Sequence, residues 1–233
     1  MIVYGRNPVR EALRGRRAAS AHELLATTSA AREPWLAGAV VKLATSEEIE
    51  SACGSREHQG ICVSVAEFPY ATAQELLAPT ECLLLALDEI QDPQNLGALC
   101  RTAECVGVSG VVICERRAAA VTPAVCRASA GAVEHLLIAR VRNLADFLTQ
   151  AKQSGCWCYG AAIDERAVAY DTPDYRGRSA LVLGAEGRGL RPRVAAGCDQ
   201  LVMLPLRGRI GSLNVSAAGA VLLYAMLHQR TNP

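Results

Sequence analysis

The sequence has very few aromatic residues, almost no lysine and almost no net charge. Aromatic residues make up 4% of the 233 positions and hydrophobic residues 51%, so its core has to be built from Ala, Val and Leu. A net charge of +1 excludes a uniformly basic surface but leaves room for a local basic patch. This composition excludes a disordered chain, a collagen-like repeat and a small disulfide-stapled scaffold.

The scarcity of lysine makes arginine the dominant cation. All but two of the 24 basic residues are arginine, the exceptions being Lys42 and Lys152. The planar guanidinium donates two parallel hydrogen bonds to a phosphate, so this bias is compatible with phosphate recognition. A GC-rich genome would produce the same bias, and the sequence leaves both explanations open.

The ten cysteines include no CxxC pair, and no histidine stands at metal-ligand spacing from any of them. We therefore expect no metal site and expect buried, reduced thiols, as in a cytoplasmic protein. No run of 18 apolar residues is present, which predicts that no segment spans a membrane. The first residues lack the pattern of a signal peptide, which also favours a cytoplasmic location.

The residue pattern changes near position 80, which favours two domains over one. Residues 1–68 alternate short helical and strand patterns, and residues 69–80 form a proline-containing linker around a short helix. Residues 81–233 alternate apolar strands with helices, which is typical of an α/β domain with a parallel sheet. The predicted fold class is therefore α/β, with a small amino-terminal α/β domain and a larger carboxyl-terminal one.

The first motif that could form part of a functional site follows a predicted buried strand at 83–87. The chain enters a polar turn, and Asn95 is predicted to cap a helix over 96–106 that carries Arg101 near the edge of its apolar stripe. Open α/β sheets bind ligands where such turns leave the carboxyl ends of strands. A helix cap with a surface arginine is the simpler interpretation of the same residues.

The second motif is a glycine-rich turn after a predicted strand at 180–183. Gly184, Gly187 and Gly189 allow positive φ angles and a close approach of backbone to a ligand. Their spacing and their position near the carboxyl end differ from a dinucleotide-binding fingerprint. Glu186 lies within this turn, where its carboxylate can accept hydrogen bonds from a sugar or a base.

The third motif joins a strand at 200–204 to the last helix, predicted over 213–228 with Ser212 as its cap. This helix is apolar on every face, so it is expected to be buried inside the fold or against a second subunit. Burying Asn214 without a partner would cost about 1–3 kcal/mol, so we expect it to hold a ligand or a backbone group. Arg207 and Arg209 make the preceding loop basic.

The order of the three motifs, DPxNxGxxxRxA, GxExxG and LP…SLNVSxA, resembles the SpoU/TrmH-type branch of the SPOUT RNA methyltransferases over roughly residues 81–228. Residues 4–13 (YGRNPVREAL) and 58–60 (HQG) resemble the L30e-like substrate-binding domain of its two-domain members. The resemblance implies a trefoil-knotted carboxyl domain, a rare exception among folds. It also implies S-adenosylmethionine as cofactor, a homodimer with its site near the interface, and 2'-O-methylation of a guanosine ribose in 23S rRNA.

The resemblance further implies roles for single residues. The cofactor would be held by the backbone or side chains of Gly184, Gly187, Leu204, Ile210 and Leu213. The catalytic pocket would be lined by Asn95, Arg101, Glu186, Ser212 and Asn214. The predicted RNA contacts are Arg10, Arg14, Arg16 and Arg17 of the first helix with Arg207 and Arg209 of the last loop.

Arg101 is the candidate base for the ribose 2'-hydroxyl under this resemblance, with help from an RNA phosphate. A free guanidinium has a pKa above about 12, which disfavours it as a proton acceptor. The alternative is that Arg101 orients the phosphate and stabilises the forming alkoxide.

Other functions compete with this interpretation. Within the same class, the target could be a tRNA guanosine or an rRNA site whose methylation confers antibiotic resistance. A non-catalytic RNA-binding homologue is a second class, disfavoured because Asn95, Arg101, Glu186, Ser212 and Asn214 are all present. A nucleotide-dependent oxidoreductase is a third, disfavoured because no G-x-G-x-x-G follows the first strand of either segment.

Overall fold

The computed structural model describes residues 1–231 and contains two β-sheets. The four strands of the amino-terminal sheet are β1 (Ile2–Tyr4), β2 (His22–Ala26), β3 (Lys42–Leu43) and β4 (Ile61–Ser64). They lie in the order β1-β4-β2-β3. The two α-helices of this domain are α1 (Arg6–Ala12) and α2 (Ser46–Cys53).

The carboxyl-terminal sheet has seven parallel strands, in the order β7-β6-β5-β10-β8-β11-β9. Its strands are β5 (Leu83–Asp88), β6 (Gly110–Cys114), β7 (Ile138–Val141), β8 (Trp157–Ala161), β9 (Val168–Ala169), β10 (Ser179–Gly184) and β11 (Gln200–Met203). Its helices are α3 (Ala73–Leu77), α4 (Pro93–Val106), α5 (Pro123–Ala128), α6 (Leu144–Gln153), α7 (Pro192–Gly197) and α8 (Val215–Thr231). The predicted α/β class with a parallel sheet is confirmed, and the trefoil knot stays a prediction.

The parallel sheet is covered on both faces, which explains its continuous apolar strands. Alternate residues of β5 point to opposite sides, and Leu85 and Leu87 join a core with α4, α5, α8 and the amino-terminal domain. Leu84 and Ala86 join a second core with α3, α6 and α7. The amino-terminal domain therefore packs on the same side of the sheet as α4 and α8.

Residues 69–80, predicted as a linker, are packed onto the large sheet. The Ala71 backbone N–H donates to the Ile138 carbonyl at 2.8 Å, and α3 starts with a capping box between Thr72 and Glu75. Leu76 is buried against Gly110, where a Cβ atom would lie 2.6 Å from the leucine Cγ. The segment is thus held in place by the carboxyl-terminal domain.

Two predicted helix caps are wrong because each helix begins at a residue other than the predicted one, which for α4 is a proline at the first helical position. The helix α4 begins at Pro93, so its cap is the preceding Asp92, whose carboxylate accepts from the Gln94 N–H at 2.9 Å. Asn95 lies one turn further and keeps its side chain free for other contacts. In the same way, the last helix begins at Val215, and Asn214 rather than Ser212 caps it, by accepting from the Ser216 N–H at 2.9 Å.

Within the chain, the last helix is buried on one face only. Gly219 fits between α4 and β10, where a Cβ atom would lie 2.8 Å from the Leu183 side chain. Val221 and Tyr224 lie on the other face, and Tyr224 is 52% exposed. The fold therefore does not bury the helix all round, and burial against a second subunit stays a prediction.

All ten cysteines lie within the described residues and are free thiols. Burial raises the pKa of Cys100 and of Cys198 to about 12, so both stay protonated and unreactive at neutral pH. Across residues 1–231, we find no helix with both the length and the apolar character needed to cross a membrane.

Candidate active site

The site is positioned by two neighbouring strands of the large sheet. The strands β5 and β10 run parallel with Asp88 opposite Gly184, so they end side by side. The polar turn after β5 leads into α4, and the glycine-rich turn follows β10. The first two motifs of the sequence therefore meet at the carboxyl edge of the sheet, where ligands bind in such folds.

The glycine-rich turn folds back on itself directly after β10. The Gly189 N–H donates to the Ala185 carbonyl at 2.8 Å, and a Cβ atom at Gly184 would overlap the backbone of Gly189. Gly187 and Gly189 have φ angles of 78° and 65°, which side chains disfavour. The glycines therefore fix a tight backbone loop, which we call the glycine loop (residues 184–190).

A buried ion pair anchors the end of the glycine loop. The buried Asp88 carboxylate accepts from the Arg191 N–H at 2.9 Å and from its Nε at 2.8 Å. The hydrogen bond with Asp88 raises the pKa of Arg191, and the same guanidinium lies 3.0 Å from Glu89. This anchor was not predicted, although two acids directly after the predicted strand at 83–87 signal a need for a cationic partner.

A cavity of about 530 Å³ lies beside the glycine loop, a size typical of small-molecule sites. Four of the five predicted cofactor residues line it, namely Gly184, Gly187, Leu204 and Leu213. The fifth, Ile210, is 76% exposed and is not among the described residues that line the cavity, so its contact with the cofactor stays a prediction. Ile163 and Asp164 also line the cavity and were not predicted.

Three of the predicted catalytic residues form one hydrogen-bonded cluster at the edge of this cavity. The Asn95 Nδ2 donates to the Glu186 carboxylate at 3.3 Å, and its Oδ1 accepts from the Asn214 Nδ2 at 3.0 Å. Asn95 is only 8% exposed, so both of these contacts fix its orientation. We call Asn95, Glu186 and Asn214 the polar triad; it joins the turn after β5, the glycine loop and the start of α8.

The remaining two predicted catalytic residues, Ser212 and Arg101, make no hydrogen bond to the triad within residues 1–231. Ser212 lines the cavity. Arg101 is exposed on α4, six residues beyond Asn95, and its guanidinium makes no hydrogen bond or ion pair with any residue in 1–231. Its donors are therefore free to meet a substrate.

The structure overturns one predicted RNA contact and weakens two others. Arg17 is 3% exposed and donates from Nε to the Glu134 carboxylate at 3.0 Å, so the prediction that it contacts RNA is wrong. The reason is that the segment after α1 packs against the carboxyl-terminal domain, where the Arg16 N–H donates to the Glu134 carbonyl at 3.1 Å. Arg16 donates to the Leu136 carbonyl at 3.3 Å, and Arg10 pairs with Glu11 at 2.7 Å.

The other predicted RNA contacts remain accessible. Arg14, Arg207 and Arg209 are exposed and have no partner within the described part of the chain. They stay predicted contacts. Within the same residues, no group of three or more His, Cys, Asp or Glu side chains is placed to hold a metal ion.

Family models match both halves of the chain. Residues 82–224 match the SpoU rRNA Methylase family. The chain belongs to the SpoU rRNA methylase family. Residues 2–71 match the model described as RNA 2'-O ribose methyltransferase substrate binding. The SpoU match spans β5 to α8 and includes the glycine loop and the polar triad, so the chain is an RNA methyltransferase of this type.

Individual members of the SpoU and TrmH families are similar over most of the chain. The TrmH-family protein YacO of Bacillus subtilis is 41% identical over 182 residues, covering 76% of this chain and 72% of YacO. The 23S rRNA (guanosine-2'-O-)-methyltransferase RlmB of Acinetobacter baylyi is 36% identical over 198 residues, covering 83% of this chain and 80% of RlmB. The SpoU methyltransferase AviRb of Streptomyces viridochromogenes, solved with AdoMet, has the same fold, with a TM-score of 0.82 and 23% sequence identity. The superposition covers 100% of this chain and 91% of AviRb.

Proposed function

We propose that this SpoU-family methyltransferase moves a methyl group from S-adenosylmethionine to the ribose 2'-hydroxyl of a guanosine in 23S rRNA. The observation that carries the proposal is the polar triad of Asn95, Glu186 and Asn214 at the edge of a ligand-sized cavity. The 36% identity to RlmB, named for this reaction, favours a 23S rRNA guanosine over a tRNA target.

The cavity fits the proposed cofactor in size and in the chemistry of its walls. Leu204 and Leu213 offer apolar surface for an adenine ring, and the glycine loop exposes backbone groups that can pair with its polar edge. Glu186 brings a carboxylate that can face a sulfonium charge. When bound, S-adenosylmethionine supplies an electrophilic methyl group for an in-line displacement.

The protein residues would orient the ribose and handle its proton. Asn95 fixes the Glu186 carboxylate, which leaves acceptor positions on Glu186 for a ribose hydroxyl. Arg101, six residues further along α4 and without a side-chain partner in residues 1–231, would pair with the adjacent phosphate. It would stabilise the alkoxide that forms as the 2'-hydroxyl passes its proton to the Glu186 carboxylate. The alternative role for Arg101, as the base itself, requires a neutral guanidine, which would become the guanidinium when it accepts that proton.

Methylation assays of the purified protein with 23S rRNA and with tRNA distinguish between these two targets. Ribose-methylation mapping should find a new 2'-O-methylguanosine in 23S rRNA transcripts and none in tRNA. A modification confined to tRNA would contradict the proposed substrate, and no modification in either RNA would favour a non-catalytic homologue.

Within this assay, Arg101→Lys should lower kcat by about 100-fold, since removing one preorganised donor at a developing charge has an effect of this order. Binding of S-adenosylmethionine, followed by calorimetry, should be unchanged. Arg193→Lys, on the opposite face of the sheet, is the matched control. A near-normal rate for Arg101→Lys would contradict both proposed roles, because each needs the planar guanidinium.

We also propose that the protein is a homodimer, formed through the exposed apolar face of α8. Val221 and Tyr224 lie on this face, and Leu213 before the helix is exposed beside the cavity. Burying such residues favours association. Sedimentation equilibrium should give twice the chain mass, and Tyr224→Glu should give a monomer; a monomeric parent would contradict the proposal.

A further inference from the structure

We infer that the seam between the two domains holds a phosphate-binding subsite for the RNA backbone, centred on Arg127 of α5. Arg6 and Gln59 of the amino-terminal domain form its opposite wall. The inference rests on the proposed RNA substrate and adds a contact that joins the two domains around it.

Arg127 reaches from the carboxyl-terminal domain to the turn between β1 and α1. A Cβ atom at Gly5, whose φ is 92°, would lie 3.2 Å from the Arg127 Cδ and 3.4 Å from Gln59 Oε1. The same Gln59 oxygen accepts from the Arg6 N–H at 2.9 Å. Gly5 therefore leaves room for the arginine stem, and the guanidinium lies beside exposed polar groups of the other domain.

The guanidinium of Arg127 lacks a protein acceptor. Its Nε is buried without a hydrogen-bond partner, and Arg127 forms no ion pair with the rest of residues 1–231. The carboxylates near the seam are already occupied, because Glu134 pairs with Arg17, Glu11 with His135, and Glu33 with Arg6. A buried donor without an acceptor destabilises the folded state, and a ligand oxygen would satisfy it.

The seam holds its shape without a ligand. The buried Arg17–Glu134 pair, the His135–Glu11 contact at 2.9 Å and the bond from Arg16 to the Leu136 carbonyl lock the domains together. The Arg127 side chain, held between the two domains, would lose little conformational entropy on binding, which favours its association with the RNA backbone. Guanidinium pairs especially well with phosphate oxygens, which accept two parallel N–H bonds.

The subsite lies on α5, which packs against α4, the helix that carries Asn95 and Arg101. Ala128, the neighbour of Arg127, packs closely on Gly97 of α4, where an added Cβ atom would lie 2.9 Å from the Ser129 N. An RNA strand bound at α4 could therefore continue along α5 into the seam, where Arg127 would bind one of its phosphates.

The test measures binding of 23S rRNA transcripts, and in parallel of tRNA, at several salt concentrations. Arg127→Met keeps the apolar stem and removes the charge, so RNA affinity should fall about tenfold. The slope of log K against log[salt] should decrease in magnitude by about 0.7–0.9, as expected for one lost phosphate contact. Arg127→Lys should keep the slope but bind more weakly than the parent. Arg193→Met, whose exposed partner is Asp146, is the control and should change neither.

The Gln59→Glu variant distinguishes a phosphate-binding role of Arg127 from a purely structural role. A carboxylate beside Arg127 supplies the missing acceptor, so the melting temperature should rise while RNA affinity falls. A lower melting temperature for Arg127→Met with an unchanged salt slope would overturn the subsite and leave a packing role. The slope is measured without catalysis, so failure to methylate 23S rRNA would contradict the proposed function alone.

Discussion

Replacing Arg17 with methionine is expected to destabilise the folded protein by about 3–5 kcal/mol, because it leaves Glu134 buried without a cation. Both side chains of this pair are almost completely buried between the domains. Burial alone would lower the pKa of Arg17, but its hydrogen bond and charge interaction with Glu134 raise the pKa, so the guanidinium stays charged. Urea unfolding, followed by circular dichroism, measures the loss.

The double variant Arg17→Met with Glu134→Leu is the decisive comparison. Replacing both members of a buried ion pair with apolar residues is often neutral or stabilising, so the double variant should recover most of the lost stability. Arg193→Met removes an exposed pair with Asp146 and should cost at most about 1 kcal/mol. If Arg17→Met cost as little as Arg193→Met, the domains would not be joined through this pair.

The pattern of apolar residues was sufficient to predict the architecture of the carboxyl-terminal domain. The strands predicted at 83–87 and 180–183 match β5 and β10 to within one residue at each end. Continuous apolar runs have few alternatives in a sheet covered on both faces. The helix caps at Asn95 and Ser212 were wrong because several capping residues stand in a row, and local sequence does not show which of them begins the helix.

The contacts between distant segments could not be predicted in the same way. The arginine run of α1 reads as a basic patch, yet Arg17 is turned toward Glu134, 117 residues away. The Asp88–Arg191 anchor likewise joins residues 103 positions apart. Sequence spacing carries information about neighbours on one helix or strand but not about which domain surface a side chain will meet. The polar triad could be proposed only through the family resemblance.

Gly184→Ala is expected to weaken binding of S-adenosylmethionine by more than 100-fold. The added methyl group would overlap the Gly189 backbone, and backbone at this point cannot move without opening the glycine loop. Opening the loop would displace Glu186 from Asn95 and change the wall of the proposed cofactor cavity. Calorimetric titration with S-adenosylmethionine measures the affinity, and thermal unfolding without ligand shows whether the rest of the fold is kept.

Two further glycines separate steric overlap from backbone strain. Gly208→Ala adds a methyl group in open space, at a residue that does not line the cavity, and should bind S-adenosylmethionine like the parent. Gly187 also has open space but a φ of 78°, so Gly187→Ala should strain the glycine loop by about 1–2 kcal/mol from the left-handed backbone alone. Since a strained loop relaxes without ligand and must return to its shape on binding, this corresponds to roughly a 5- to 30-fold loss of affinity. The order of affinities should therefore be Gly208→Ala, then Gly187→Ala, then Gly184→Ala. If Gly184→Ala bound the cofactor as well as Gly208→Ala does, the glycine loop would not be part of the cofactor site.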